Sequence, residues 1–153
     1  MSTFDLEIQS PNHRETDTND LIHNVDHQYV IERYAAISWR RLRVLQLQLN
    51  GKNAIFKVIH LASKQYISIT LNAFSQSEQF EFKIESNIQL IIPQRELFGL
   101  ITRKNKEIFL IKQGTLEQVN DSLNAFLSQN IATLEKIYMN SRVKAVQDSS
   151  YMR

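Results

Sequence analysis

The chain has no cysteine, only two prolines and only three glycines among its 153 residues. Without cysteine there can be no disulfide, no thiolate nucleophile and no Cys-based zinc or iron–sulfur site. With Gly51, Gly99 and Gly114 as the only glycines, neither a GxGxxG turn nor a GxxxxGK phosphate loop can be spelled. No window reaches the ~20 uninterrupted apolar residues of a membrane-spanning helix, and the polar N-terminal stretch has no signal-peptide core. Aspartate is missing between Asp26 and Asp121, which argues against a Mg²⁺ site built on aspartates.

What is present is ordinary in amount and uneven in placement. The apolar share of 42% is that of a globular protein, and a chain this long buries about two-thirds of its unfolded surface on folding. The net charge of +2 hides an asymmetry. Residues 1–32 carry seven acids against Arg14, whereas residues 33–77 carry seven bases and no acid. A mixed surface does not normally segregate its signs so fully.

Residues 1–17 are polar, punctuated by Ser10-Pro11-Asn12, and predict a flexible acidic arm. From about Asp20 to Trp39 the apolar residues Ile22, Val25, Tyr29 and Ala36 fall near helical spacing. Thr18 or Asn19 can cap that N-terminal helix. At Arg41 the period changes to two, and Arg41 to Leu49 runs into Asn50-Gly51 and on to Ala54–Leu61, which predicts a hairpin. Five further strands are expected at Tyr66–Leu71, Gln79–Glu85, Asn87–Ile92, Leu97–Thr102 and Ile108–Lys112, with Pro93 ending one and Arg103-Lys104-Asn105-Lys106 forming a charged tip. After Gly114, Thr115 and Gln118 match a capping box, and Leu116, Val119, Leu123, Phe126 and Leu127 form an apolar stripe. One bent helix from 115 to about 145 fits, as do two helices hinged near Gln129-Asn130.

The expected fold is therefore α+β in a single domain over 18–146, with 147–153 a disordered tail. An N-terminal helix precedes a seven-stranded antiparallel barrel or orthogonal sandwich, which a C-terminal helix closes. Over about 41–128 this order of elements resembles the pleckstrin-homology-type barrels. That superfold hosts lipid, peptide and protein binding alike, so the resemblance implies architecture rather than activity.

Chemistry-bearing residues are sparse. His23 and His27 stand four apart with Asp20 and Asp26 adjacent, and on a helix they could share a metal. His23-Asn24-Val25-Asp26-His27 nevertheless lacks the glutamate of HExxH, and no convincing third ligand is near. His60 has Ser63 three residues on, with no nucleophile elbow around it. Glu78, Glu81 and Glu85 alternate with Lys83 as the wet face of a strand. No catalytic residue, metal or cofactor is assigned.

The basic stretch is the most specific signal. Trp39-Arg40-Arg41-Leu42-Arg43, followed by Lys52, Lys57 and Lys64, sets an aromatic beside guanidiniums that bind carboxylates and phosphates in bidentate fashion. Ile131, Leu134 and Tyr138 lie past the stripe that closes the barrel and need another surface to bury them. We therefore expect a cytoplasmic, non-enzymatic adaptor. It would grip another protein, and a second copy of itself, through Trp39, Arg40, Arg41, Arg43, Lys57, Ile131, Leu134 and Tyr138. The alternative is a binder of nucleic acid or anionic lipid through residues 39–64.

Overall fold

The computed structural model describes residues 2–13, 18–95 and 102–151. Its elements in chain order are β1 (Phe4–Gln9), β2 (Asp20–Val25), α1 (His27–Ala35), α2 (Trp39–Leu49), β3 (Ile55–His60), β4 (Tyr66–Leu71), β5 (Phe82–Arg95), β6 (Thr102–Gly114), α3 (Leu116–Leu127) and α4 (Ile131–Tyr151). The fold is α+β. Its strands form one antiparallel sheet in the order β2-β1-β3-β4-β5-β6. No helix among the described residues is long and apolar enough to cross a membrane.

Strand periodicity of two sorts the sheet into an inner and an outer face. Phe4, Leu6, Phe56, Val58, Ile67, Ile69, Phe82 and Ile84 are buried inward. The helices pack on that face: Phe126 of α3 meets Phe4 at 6.3 Å between ring centroids, and Trp39 of α2 meets Phe82 at 5.0 Å.

Several expectations are corrected. The acidic arm is in part a strand: Phe4 and Leu6 are fully buried, and β1 pairs with both β2 and β3. Asp5 and Glu7 are the wet face of that strand, and their charge conceals the alternation of Phe4, Leu6 and Ile8. The first helix does not start near Asp20. Asp20–Val25 is an edge strand, and α1 begins only after Asp26, whose Oδ1 accepts the Tyr29 N–H at 2.8 Å. An apolar triplet such as Leu21, Ile22 and Val25 suits either period, so the cap decides.

The seven-stranded barrel gives way to a six-stranded open sheet. β2 and β6 end up on opposite edges, and helices cover the face that a barrel would turn inward. With strands β1 and β2 ahead of the first helices, the element order is not the pleckstrin-homology one. The strands expected at Gln79–Glu85 and Asn87–Ile92 are one strand, β5, bent by an irregularity between Glu85 and Gln89. Pro93 does not end it. β4 pairs no further along β5 than Ser86, so beyond that point β5 has a free edge where a proline's missing N–H is harmless. Arg103 to Lys106 lie within β6, opposite Gln94 to Ile91, instead of at a tip. Of the strand expected at Leu97–Thr102, residues 97–101 lie outside the described residues.

At the C-terminus the hinged pair is observed. α3 ends at Leu127, Gln129 takes φ 54°, and α4 starts at Ile131 and continues to Tyr151 through most of the expected tail. The Thr115 cap forms as a full capping box: Thr115 Oγ1 accepts the Gln118 N–H at 3.1 Å, and Gln118 Oε1 accepts the Thr115 N–H at 2.9 Å.

Candidate functional site

The segment expected as the first hairpin strand is helix α2. Every residue from Arg40 to Leu49 except Val44 is a good helix former, and both ends are capped. Ser38 Oγ accepts the Arg41 N–H at 3.3 Å, and Asn50 closes the helix in the left-handed region at φ 48°. Asn50-Gly51 signals a hairpin because both positions of that turn need positive φ. A left-handed helix cap draws on the same preference. Gly51 is further required by Pro11, whose carbonyl oxygen would lie 2.1 Å from any Cβ placed there.

Helical spacing then decides which side chains face out. Trp39 and Gln46 point into the core at 7% and 1% exposure. Gln46 Nε2 donates to Asn53 Oδ1 at 2.9 Å. Tyr34 of α1 packs on Trp39 at 6.4 Å and on Phe56 at 5.8 Å between centroids, and its hydroxyl donates to Asn120 Oδ1. Burial pushes the Tyr34 phenol above its ordinary pKa, with Trp39 partly opposing. Opposite this anchor, Arg40, Arg41, Val44, Leu47 and Gln48 form one outward stripe. Val44 and Leu47 keep 46% and 48% of their surface in solvent. Among the described residues neither the Arg40 nor the Arg41 guanidinium has a hydrogen-bond or ion-pair partner. Arg43, one step round the helix, donates from Nη2 to the Ser75 carbonyl at 2.8 Å, which ties α2 to the β4–β5 connection.

The other expected binding residues separate. Lys57 sits on the outer sheet face with Nζ 4.4 Å from the centre of the Tyr66 ring, away from the helices. Leu134 is buried at 1%, Ile131 packs against the core, and Tyr138 lies 6.0 Å from Phe109. Arg142 stacks over Tyr138 at 5.9 Å and donates from Nη1 to both oxygens of Glu107, at 2.9 and 2.8 Å. Desolvation raises the Tyr138 phenol, Glu107 adds to the rise and Arg142 opposes it. These α4 residues are thus satisfied within the chain, as Trp39 is. The bases of residues 39–64 are divided among α2, the α2–β3 connection, the outer sheet face and the β3–β4 turn.

The histidines do not converge either. His23 lies on β2 with Nδ1 3.2 Å from Asp5 Oδ2, while His27 opens α1, so they no longer share a helix face. No group of three metal-ligating side chains occurs among the described residues. Asp5 is held below the usual carboxylate range by the Asn24 N–H, which it accepts at 2.9 Å, against partial burial, and His23 adds to the effect. His60 is buried opposite Phe4 of β1 instead of beside Arg41 or Arg43. Its Nδ1 is 2.7 Å from Ser63 Oγ, and that hydroxyl also accepts the Gln65 N–H at 3.2 Å, so the pair staples the β3–β4 turn. The outward stripe of Val44 and Leu47 was not singled out in sequence. Ser38 as a cap, with Trp39, Leu42 and Gln46 at helical spacing, is the signal that finds it.

Comparison with protein-family models, curated proteins and solved structures gives no match.

Proposed function

We infer that the chain is a non-enzymatic binding module that docks a partner protein on the outward face of α2. The observation that carries this reading is the pairing of two unneutralised guanidiniums, Arg40 and Arg41, with exposed Val44 and Leu47 on a rigidly anchored helix. Arginine is enriched at interfaces, whose fully buried centre is apolar. The arginines also occupy the first turn, where the positive end of the helix dipole disfavours cations, and α2 has no acid there to offset them. A partner segment carrying carboxylates and apolar side chains would relieve that conflict and cover the apolar surface together. The dispersal of Lys57 and Lys64 away from α2 favours such a compact contact over a polyanion laid along residues 39–64.

Affinity capture from native extract with the wild-type chain and with the Arg40→Glu/Arg41→Glu variant tests the reading. The wild type is expected to retain an acidic protein that the variant loses by about tenfold or more in affinity, with thermal stability kept or raised because glutamates suit the first turn of α2. Identical capture by both chains would contradict it. Charge-dependent binding confined to RNA, DNA or anionic vesicles would replace it with the polyanion alternative.

A further inference from the structure

Among the described residues the sheet has edges at β2, at β6 and along the stretch of β5 that β4 does not reach. The last of these is closed. Ile91 donates its N–H to Glu135 Oε1 of α4 at 3.4 Å, and Pro93, two residues on, has no N–H to offer. The Ile91 bond also fixes the phase of the β5–β6 ladder. In an antiparallel pair, opposed residues alternate between exchanging both backbone bonds and exchanging neither. Because Ile91 turns its N–H to α4, the Ile91–Lys106 pair exchanges neither, nor does the Gln89–Ile108 pair two residues along. The N–H and C=O of Lys106 and Ile108 therefore point away from β5. Among the described residues no strand lies there to receive them.

The side chains along this edge are sorted too. Lys106, Ile108, Leu110 and Lys112 are exposed, Ile108 at 61% and Leu110 at 39%, while Phe109 and Ile111 between them are buried. The outer row of the edge thus reads basic, apolar, apolar, basic. Among the described residues neither lysine has an ion-pair partner, and the nearby Glu85 of β5 is paired with Lys83 at 3.5 Å. Lysines on an edge guard it against apolar or basic strands, whose pairing would strand the charge. They admit a strand that brings carboxylates to the same row. A second copy pairing through its own β6 brings none: Glu107 is the only acid of that strand, and it faces the other way, held by Arg142 at 2.8 Å.

We propose that the free edge of β6 takes up an extended segment of another protein as a further strand, with carboxylates opposite Lys106 and Lys112 and apolar side chains opposite Ile108 and Leu110. Main-chain bonds to Lys106 and Ile108 supply the affinity, and the alternate side chains supply the selectivity. Arg40 and Arg41 take no part in this contact, so it and docking on α2 stand or fall separately.

A synthetic peptide with glutamate, valine, valine and glutamate at alternate positions, and threonine between them, tests this. It reads the same in both directions and so fits either strand polarity. In an NMR titration of the full chain up to about 1 mM peptide, the amides of Lys106 and Ile108 are expected to shift and to exchange more slowly with solvent, while those of α2 stay unmoved. Lys106→Glu/Lys112→Glu weakens the peptide about tenfold and takes up the same peptide with lysine in place of glutamate. Arg40→Glu/Arg41→Glu leaves binding unchanged. Because both lysines are exposed, their variant keeps the wild-type circular dichroism. Should it not, methylation of the peptide's valine nitrogens is the second probe: it removes the main-chain donors, keeps the charge and abolishes binding. No shift at about 1 mM, binding that survives the methylation, or binding lost in Arg40→Glu/Arg41→Glu overturns the proposal. So does a wild-type chain whose Lys106 and Ile108 amides are already protected in a dimer.

Discussion

Trp39 stands edge-on to Phe82, their planes at 74°. One contact thereby couples the first residue of α2 to the first residue of β5. It fixes the rotation of the helix about its own axis. Once Trp39 points inward, Arg40, Val44 and Leu47 have no choice but to point outward. The indole orients the outward face of α2 without belonging to it. Trp39→Ala is expected to lower the unfolding free energy by about 3–5 kcal/mol. Urea denaturation checks it, and a loss below about 1 kcal/mol would show that α2 is not held through this residue.

The capping box that opens α3 joins two residues whose roles are reciprocal. Thr115→Ala removes the acceptor for the Gln118 N–H and is expected to cost about 1 kcal/mol. Thr115→Ser keeps the hydroxyl and should cost only a few tenths. Thermal unfolding of the two variants side by side separates the cap from mere loss of side-chain volume.

The Thr115 cap was legible from sequence because its signal is local, as were β4 and β3, the latter with a regular alternation of buried and more open residues. The hinge at Gln129-Asn130 was legible as one of two choices. What was lost depended on tertiary context. Arg41 to Leu49 alternates as a strand would, yet Trp39 and Gln46 find a helical face to bury and Asn50 caps it. Phe4, Leu6 and Ile8 are too short a run to outweigh the acids around them until β2 and β3 flank them. Arg40 and Arg41 were picked out by charge. Val44 and Leu47 were not, because a strand reading sent Leu47 into the core. Leu134 and Tyr138 were read as uncovered only because a closed barrel leaves them nothing to touch.

Ser122 is fully buried on α3, and its hydroxyl has no partner among the described residues. Its desolvation is uncompensated, so Ser122→Ala is expected to be neutral or to stabilise by up to about 1 kcal/mol. Chemical denaturation decides the sign. A clear destabilisation would mean that the hydroxyl reaches an acceptor on its own helix.

Asp5 ties β1 to the edge strand β2 through the Asn24 N–H and His23. Its folded pKa lies below the ordinary aspartate value of about 3.9. The contribution is therefore complete above that value and disappears as pH falls through the lower folded one. Asp5→Ala should lose about 1 kcal/mol at neutral pH, much less near pH 2, giving a flatter acid limb in stability against pH. Parallel limbs for the two proteins would show that the carboxylate contributes nothing by its charge.

The central proposal is that a partner sits on the outward face of α2, over Val44 and Leu47 and against Arg40 and Arg41. A photocrosslinking amino acid at position 44, compared with one at position 89 on the outer sheet face, measures this directly in the native cell. Crosslinking to an acidic protein from position 44, abolished by Arg40→Glu/Arg41→Glu and absent from position 89, is the predicted result. No adduct from position 44, or the same partner captured equally from both positions, would contradict it.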